Sequence, residues 1–159
     1  MWIDSALRIF LILALIYLAW VDWRTFLLPN RITYPLIILG LITNTFTPYA
    51  FCESYLAFLG VLIGYLILYM TNQIYRYFRG QDGLGMGDAK LLASLGAWLG
   101  LQPLPVILSV AALLGILGGI LWLRYKKLPS THAFPFGPYL AIAGIIEILW
   151  SSPFIHSLS

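Results

Sequence analysis

Charge is what this sequence has least of. Of its 159 residues only 9% are Asp, Glu, Lys or Arg, against roughly a quarter in an ordinary soluble domain. So few charges cannot cover a protein surface in water, and a soluble globular fold is excluded. Cysteine is nearly missing as well. Cys52 stands alone, which excludes an intramolecular disulfide and every cysteine-based zinc cluster. Nine Lys and Arg against six Asp and Glu give a net charge of +3, but the cations are scattered among apolar runs. With no basic stripe, no nucleic acid is expected as a partner. Gly83-Leu84-Gly85 has no third glycine at the dinucleotide spacing, and no Gly-Lys-Ser/Thr occurs, so a phosphate loop finds no support. There is no repeat, low-complexity tract or long linker, and one unit over residues 1–159 is expected at this length.

What is present is apolar: 61% of the residues, in runs of membrane length. Ile3 to Val21 is nineteen residues, roughly 28 Å as a helix, close to the thickness of a hydrocarbon core. Asp4 precedes Arg8 and no small-x-small cleavage site follows, so this run reads as a retained span rather than a signal peptide. Further spans are expected over Ile32 to about Thr47, Tyr55 to about Tyr75, Leu104 to Leu123 and about Phe136 to Trp150. Gln102, Pro103 and Pro105 interrupt a charge-free run and leave a short helix from about Asp88 to Leu101, of a length often re-entrant. The expectation is an all-α polytopic membrane protein of about six transmembrane helices.

With six spans, eight of the nine cations fall in alternate connections: Arg24 and Arg31; Arg76, Arg79 and Lys90; Arg124, Lys126 and Lys127. By the positive-inside rule these connections face the cytoplasm and both termini are extracytoplasmic. Three Gly-x-x-x-Gly pairs, Gly60/Gly64, Gly96/Gly100 and Gly115/Gly119, allow close helix contact, within the chain rather than between copies.

Acidic side chains at membrane depth are costly and point to function. Asp4, Glu53 and Glu147 are expected at the outer face, and Asp22, Asp82 and Asp88 at the cytoplasmic one. Asp22 ends the first span, and Asp88 opens the fourth helix after Gly83-Leu84-Gly85-Met86-Gly87. Two carboxylates from distant parts of the chain thus reach one depth. Close together they would share a proton, the ionised one activating a water and the protonated one donating to a carbonyl oxygen. Gly85 and Gly87 would supply backbone conformations closed to other residues and room for a substrate strand. The plainer reading makes Asp22 an interfacial anchor or helix cap, Asp82 and Asp88 loop acids neutralised by Arg79 and Lys90, and the glycines a flexible turn. His132 and His156 fall on opposite faces and cannot share a metal, so no metal site is expected.

At these residues the sequence resembles the type IV prepilin peptidases, membrane aspartic proteases of the Gly-x-Gly-Asp class. The likeness rests on Asp22 through Pro29-Asn30 to Thr33 and Pro35, on Gly85-Met86-Gly87-Asp88-Ala89-Lys90-Leu91-Leu92 with Gly96, and on Phe134-Pro135-Phe136-Gly137-Pro138-Tyr139-Leu140-Ala141. The resemblance implies Asp22 and Asp88 as catalytic residues, with Gly85, Gly87, Lys90, Pro29 and Asn30 in support. It implies prepilin or pseudopilin substrates whose basic leader is cut at the cytoplasmic face of the bacterial inner membrane. Larger members carry an N-terminal segment with zinc-binding cysteine pairs and methylate the new N-terminus using S-adenosylmethionine. This sequence has only Cys52, on the opposite face, so cleavage without cofactor is the expectation and methylation stays open. Presenilin-like proteases share Gly-x-Gly-Asp, but their other aspartate follows a tyrosine, whereas Val21 precedes Asp22. A small transporter or a scaffold subunit of a secretion machine is the non-enzymatic alternative, and it would place its acids nearer the bilayer midplane.

Overall fold

The computed structural model describes residues 2–80, 83, 85–126 and 135–151, without the side chains of residues 121–126. The readings on Asp82, Leu84, Arg124, Lys126, Lys127, His132, Phe134 and His156 lie outside the described residues. Among the described residues the chain is all-helical, in the order α1 (Trp2–Thr25), α2 (Asn30–Phe46), α3 (Ser54–Arg79), α4 (Met86–Leu99), α5 (Leu104–Lys126) and α6 (Gly137–Trp150). α1 and α3 are long and apolar enough to cross a membrane, and α5 and α6 carry shorter apolar stretches. Large apolar side chains such as Ile9, Leu13 and Ile16 of α1 and Leu113, Ile116 and Leu117 of α5 face outward. An apolar belt of this kind is what lipid rather than water would cover, and the chain is a membrane protein.

Several helices run past the expected ends. α1 continues to Thr25 because Trp23, Arg24 and Thr25 contain no helix breaker, so Asp22 lies inside the last turn rather than beyond it. α3 continues to Arg79 and stops at Gly80, whose left-handed φ of 70° lets its N–H bond back to the Arg76 carbonyl at 2.8 Å. α2 begins at Asn30, just after Pro29, a residue that suits the edge of a helix and not its interior.

α4, the short helix, is the centre of the molecule. It packs chiefly on α3, then on α2 and α6, and every residue from Leu91 to Leu99 is buried. A helix that is apolar all round must be covered all round. Its contact with α3 is backbone on backbone: a Cβ on Gly60 would fall 2.5 Å from the Gly96 carbonyl oxygen. Of the expected glycine pairs, Gly60/Gly64 and Gly96/Gly100 therefore serve packing inside the chain. On the other side Trp98 lies on Gly40, where a Cβ would come within 2.7 Å of the indole, and its Nε1–H donates to the Leu36 carbonyl at 2.9 Å. Asn44 completes the C-terminal end of α4. Its Nδ2 donates to the Ala97 and Trp98 carbonyls at 2.8 and 3.0 Å, while its Oδ1 accepts the Phe51 and Cys52 N–H groups at 2.7 and 3.2 Å. With that end tied down, the N-terminal end of α4 is held where Asp88 is needed.

Candidate active site

Asp22 stands in the last turn of α1, three residues before its end at Thr25. Phe26 ends it with φ of 55°, a left-handed conformation uncommon for an aromatic residue, and its N–H still bonds the Asp22 carbonyl at 2.8 Å. The Thr25 hydroxyl donates to the Val21 carbonyl at 2.9 Å. The chain then turns through Leu27 and Leu28 into Pro29, whose carbonyl accepts the N–H groups of Ile32 and Thr33 at 3.0 and 3.2 Å. The tight turn directs Leu28 inward, where it is 8% exposed.

Asp88 stands at the other kind of helix end. Gly85 is the N-cap of α4, in extended conformation, and the Asp88 N–H bonds its carbonyl at 3.0 Å. The Asp88 carboxylate folds back over the Gly85 backbone N–H, the third-residue half of a capping box. A Cβ on Gly85 would lie 3.4 Å from Asp88 Oδ2.

α6 brings the two together. Pro138 sits in its first turn, and the helix opens on Gly137. A Cβ there would fall 2.6 Å from Asp22 Oδ2 and 3.2 Å from Asp88 Oδ1, which keeps those two oxygens within about 6 Å of each other, close enough for one water to touch both. Both aspartates are 5% exposed, and Asp22 Oδ2 has no hydrogen-bond partner among the described residues. The Gly137 backbone amide faces the Asp22 carboxylate. The positive ends of two helix dipoles, α4 and α6, thus meet a pair of buried acids. Above them opens a cleft of about 840 Å³, with Phe26, Leu27, Leu28, Pro29, Pro135 and Phe136 among its walls.

The supporting residues also line this cleft, but three of them work otherwise than the sequence suggests. Gly85 and Gly87 do not take positive φ; among the described glycines only Gly80 and Gly100 do. Gly87 is needed for contact, since a Cβ there would come 2.8 Å from Leu28 Cβ. Lys90 does not neutralise Asp88. Its Nζ donates to Asn30 Oδ1 at 2.6 Å and lies over the Tyr34 ring, so it clasps α4 to the start of α2. Among the described residues the one ion pair is Arg8 with Asp4, at the far end of α1, and no group of three or more His, Cys, Asp or Glu side chains comes together. Sequence reasoning left Gly137, Leu28 and Phe26 without a role. Gly137 had a signal in Pro135-Phe136-Gly137-Pro138, whereas nothing local marks Leu28 as the partner of Gly87.

Fold and site define the class: a helical membrane protein with two aspartates paired at the floor of a cleft at one end of the helices. The chain belongs to the type IV leader peptidase family, whose model matches residues 9–120, from within α1 to within α5. It is 41% identical over 136 residues to a prepilin leader peptidase/N-methyltransferase of Stutzerimonas stutzeri, covering 86% of this chain and 46% of that one. It is 44% identical over 124 residues to the protein of that name in Pseudomonas aeruginosa, covering 78% and 42%. With its Xanthomonas campestris counterpart the identity is 37% over 141 residues, covering 89% and 48%. The chain thus spans about half the length of the curated relatives it matches. No solved structure matches it.

Proposed function

We propose that residues 1–159 form a single membrane-embedded unit that cleaves the leader peptide from type IV prepilins or type II secretion pseudopilins, with Asp22 and Asp88 as its catalytic residues. The observation that carries this reading is the meeting of the two buried carboxyl groups at Gly137 beneath an open cleft. Two acids so close hold one proton between them. The ionised carboxylate takes a proton from a water, whose oxygen attacks the scissile carbonyl carbon. The protonated acid donates to the carbonyl oxygen, giving a tetrahedral diol. Collapse of the diol re-forms the carbonyl, breaks the C–N bond and passes a proton to the leaving amine, so that one water is consumed and an acid and an amine are released. Gly85 leaves room for the substrate backbone, Gly87 lets Leu28 close in beside it, and Pro29, Asn30 and Lys90 set the wall on which the substrate lies.

The apolar cleft walls suit the start of a hydrophobic helix, and a basic leader would extend past them toward Arg24 and Arg31. The distribution of cations supports six spans in the bacterial inner membrane, with this cleft at the cytoplasmic face and both ends of the chain outside. The relatives' name includes N-methyltransferase, and methylation of the product is a separate activity to be scored beside cleavage. The test is incubation of membranes containing the protein with a panel of prepilin and pseudopilin precursors, with and without S-adenosylmethionine. The expected result is a shortened product from at least one precursor without the methyl donor. Intact precursors throughout would overturn the reading.

A further inference from the structure

Gly83, two residues before the N-cap of α4, is held by α3 through residues to which the mechanism above gives no part. We infer that Asn72 is a positioning residue for the Asp88 carboxylate, acting through the backbone of Gly83. The inference rests on the reading of Asp22 and Asp88 as the catalytic pair.

Asn72 is 4% exposed in a helix otherwise rich in apolar side chains. A buried amide in such a place needs partners, and its Oδ1 accepts the Gly83 N–H at 2.8 Å, across eleven positions of chain. Gly83 is pinned from a second side by Tyr75, one turn further along α3. A Cβ on Gly83 would lie 2.5 Å from Tyr75 Cδ1 and 2.7 Å from Cγ, so the ring rests directly on the glycine backbone. Two residues on comes Gly85, the N-cap of α4, whose backbone N–H faces the Asp88 carboxylate. Two residues of chain reach at most about 7 Å. A fixed Gly83 therefore limits where Gly85 can stand, and Gly85 in turn takes the Asp88 N–H on its carbonyl at 3.0 Å and lies beside the carboxylate, a Cβ there falling 3.4 Å from Oδ2. Gly83 and Gly85 also both line the cleft together with the two aspartates.

The experiment measures prepilin cleavage in membranes, per molecule of inserted protein, as a function of pH. Asn72→Leu keeps the branched shape of the side chain and removes the acceptor. Cleavage should fall tenfold or more, since a displacement of about 1 Å can cost roughly a hundredfold. The pH–rate profile should also move by about half a unit or more, because a donor to one carboxylate has shifted, whereas simple loss of folded enzyme scales a profile without moving it. Gly83→Ala, which lifts the segment off Tyr75 and leaves α3 intact, should do the same and decides the matter if Asn72→Leu does not insert. Cleavage within threefold of the unmodified protein, or a lower rate with an unmoved profile, would overturn the inference. If the unmodified protein cleaves no precursor, it is the functional reading that fails.

Discussion

Asp22 ends a helix and Asp88 begins one, so neither acid can exchange place with the other, and each has its own geometry to lose. Asp22→Asn and Asp88→Asn should each lower cleavage by at least about a hundredfold, the span over which positioned proton transfer acts, with abundance in the membrane unchanged. The mobility shift of a prepilin on a gel measures it, and ready cleavage by either variant removes that residue from the pair. Gly137 and Gly87 are predicted to be as sensitive, for steric reasons. Gly137→Ala puts a methyl 2.6 Å from Asp22 Oδ2, and Gly87→Val drives a branched side chain into Leu28, 2.8 Å away. Both variants should insert normally and lose cleavage. Wild-type rates from Gly137→Ala would mean that α6 stands further from the acids than it does here. Cys52 is the opposite case. Burial, and then the nearby Glu53 carboxylate, push its thiol up to about 11. At neutral pH it is therefore an uncharged thiol, against Gly100. Maleimide should label it roughly a hundredfold more slowly than a free cysteine, and thiol reagents should leave cleavage intact.

Among the helices α4 decides the arrangement. Its fourteen residues span only about 21 Å, too few to cross a bilayer unaided, and it is placed instead by what surrounds it. Lipid tails are as apolar as leucine, so helices in a membrane associate through close packing rather than the hydrophobic effect. Among the described glycines the Gly60–Gly96 contact is the closest approach of backbone to backbone between two helices. Gly60→Leu should separate α3 from α4 and destabilise the bundle by about 1–3 kcal/mol or more, read as a lower melting temperature in detergent. Gly118→Ala is a poor control, because Tyr139 already fills that site; Gly80→Ala is better placed for comparison, with no atom within 4 Å, although its left-handed φ carries a modest strain. An unchanged melting temperature in Gly60→Leu would show that the helices give way at no cost. The helices themselves were legible in the sequence, since apolar run length and proline position are local properties. The centrality of α4 was not: the Asn44 and Trp98 bonds that hold its end cross more than fifty positions of chain.

For the molecule as a whole, the distribution of cations predicts an orientation. Reporters fused within 24–31 and within 80–87 should read cytoplasm, and a reporter after Ser159 the outside; a cytoplasmic signal after Ser159 would leave an odd number of spans and make α4 the first helix to reconsider. This expectation draws on the sequence alone, as do the helical membrane class, which rests on composition, and the family likeness at Asp22, Pro29 and Gly85 to Asp88, which rests on motifs and their spacing. Composition and spacing carry such information because each rests on neighbours in the chain. Only the tertiary structure decided that Gly137 stands between the two acids, that Lys90 pairs with Asn30 rather than with Asp88, and that Gly87 is small for the sake of Leu28 and not for its backbone angle. Those are contacts of a few ångströms between atoms 49 to 115 positions apart in the chain. No local propensity encodes them; they follow from which helix faces are smooth enough to approach.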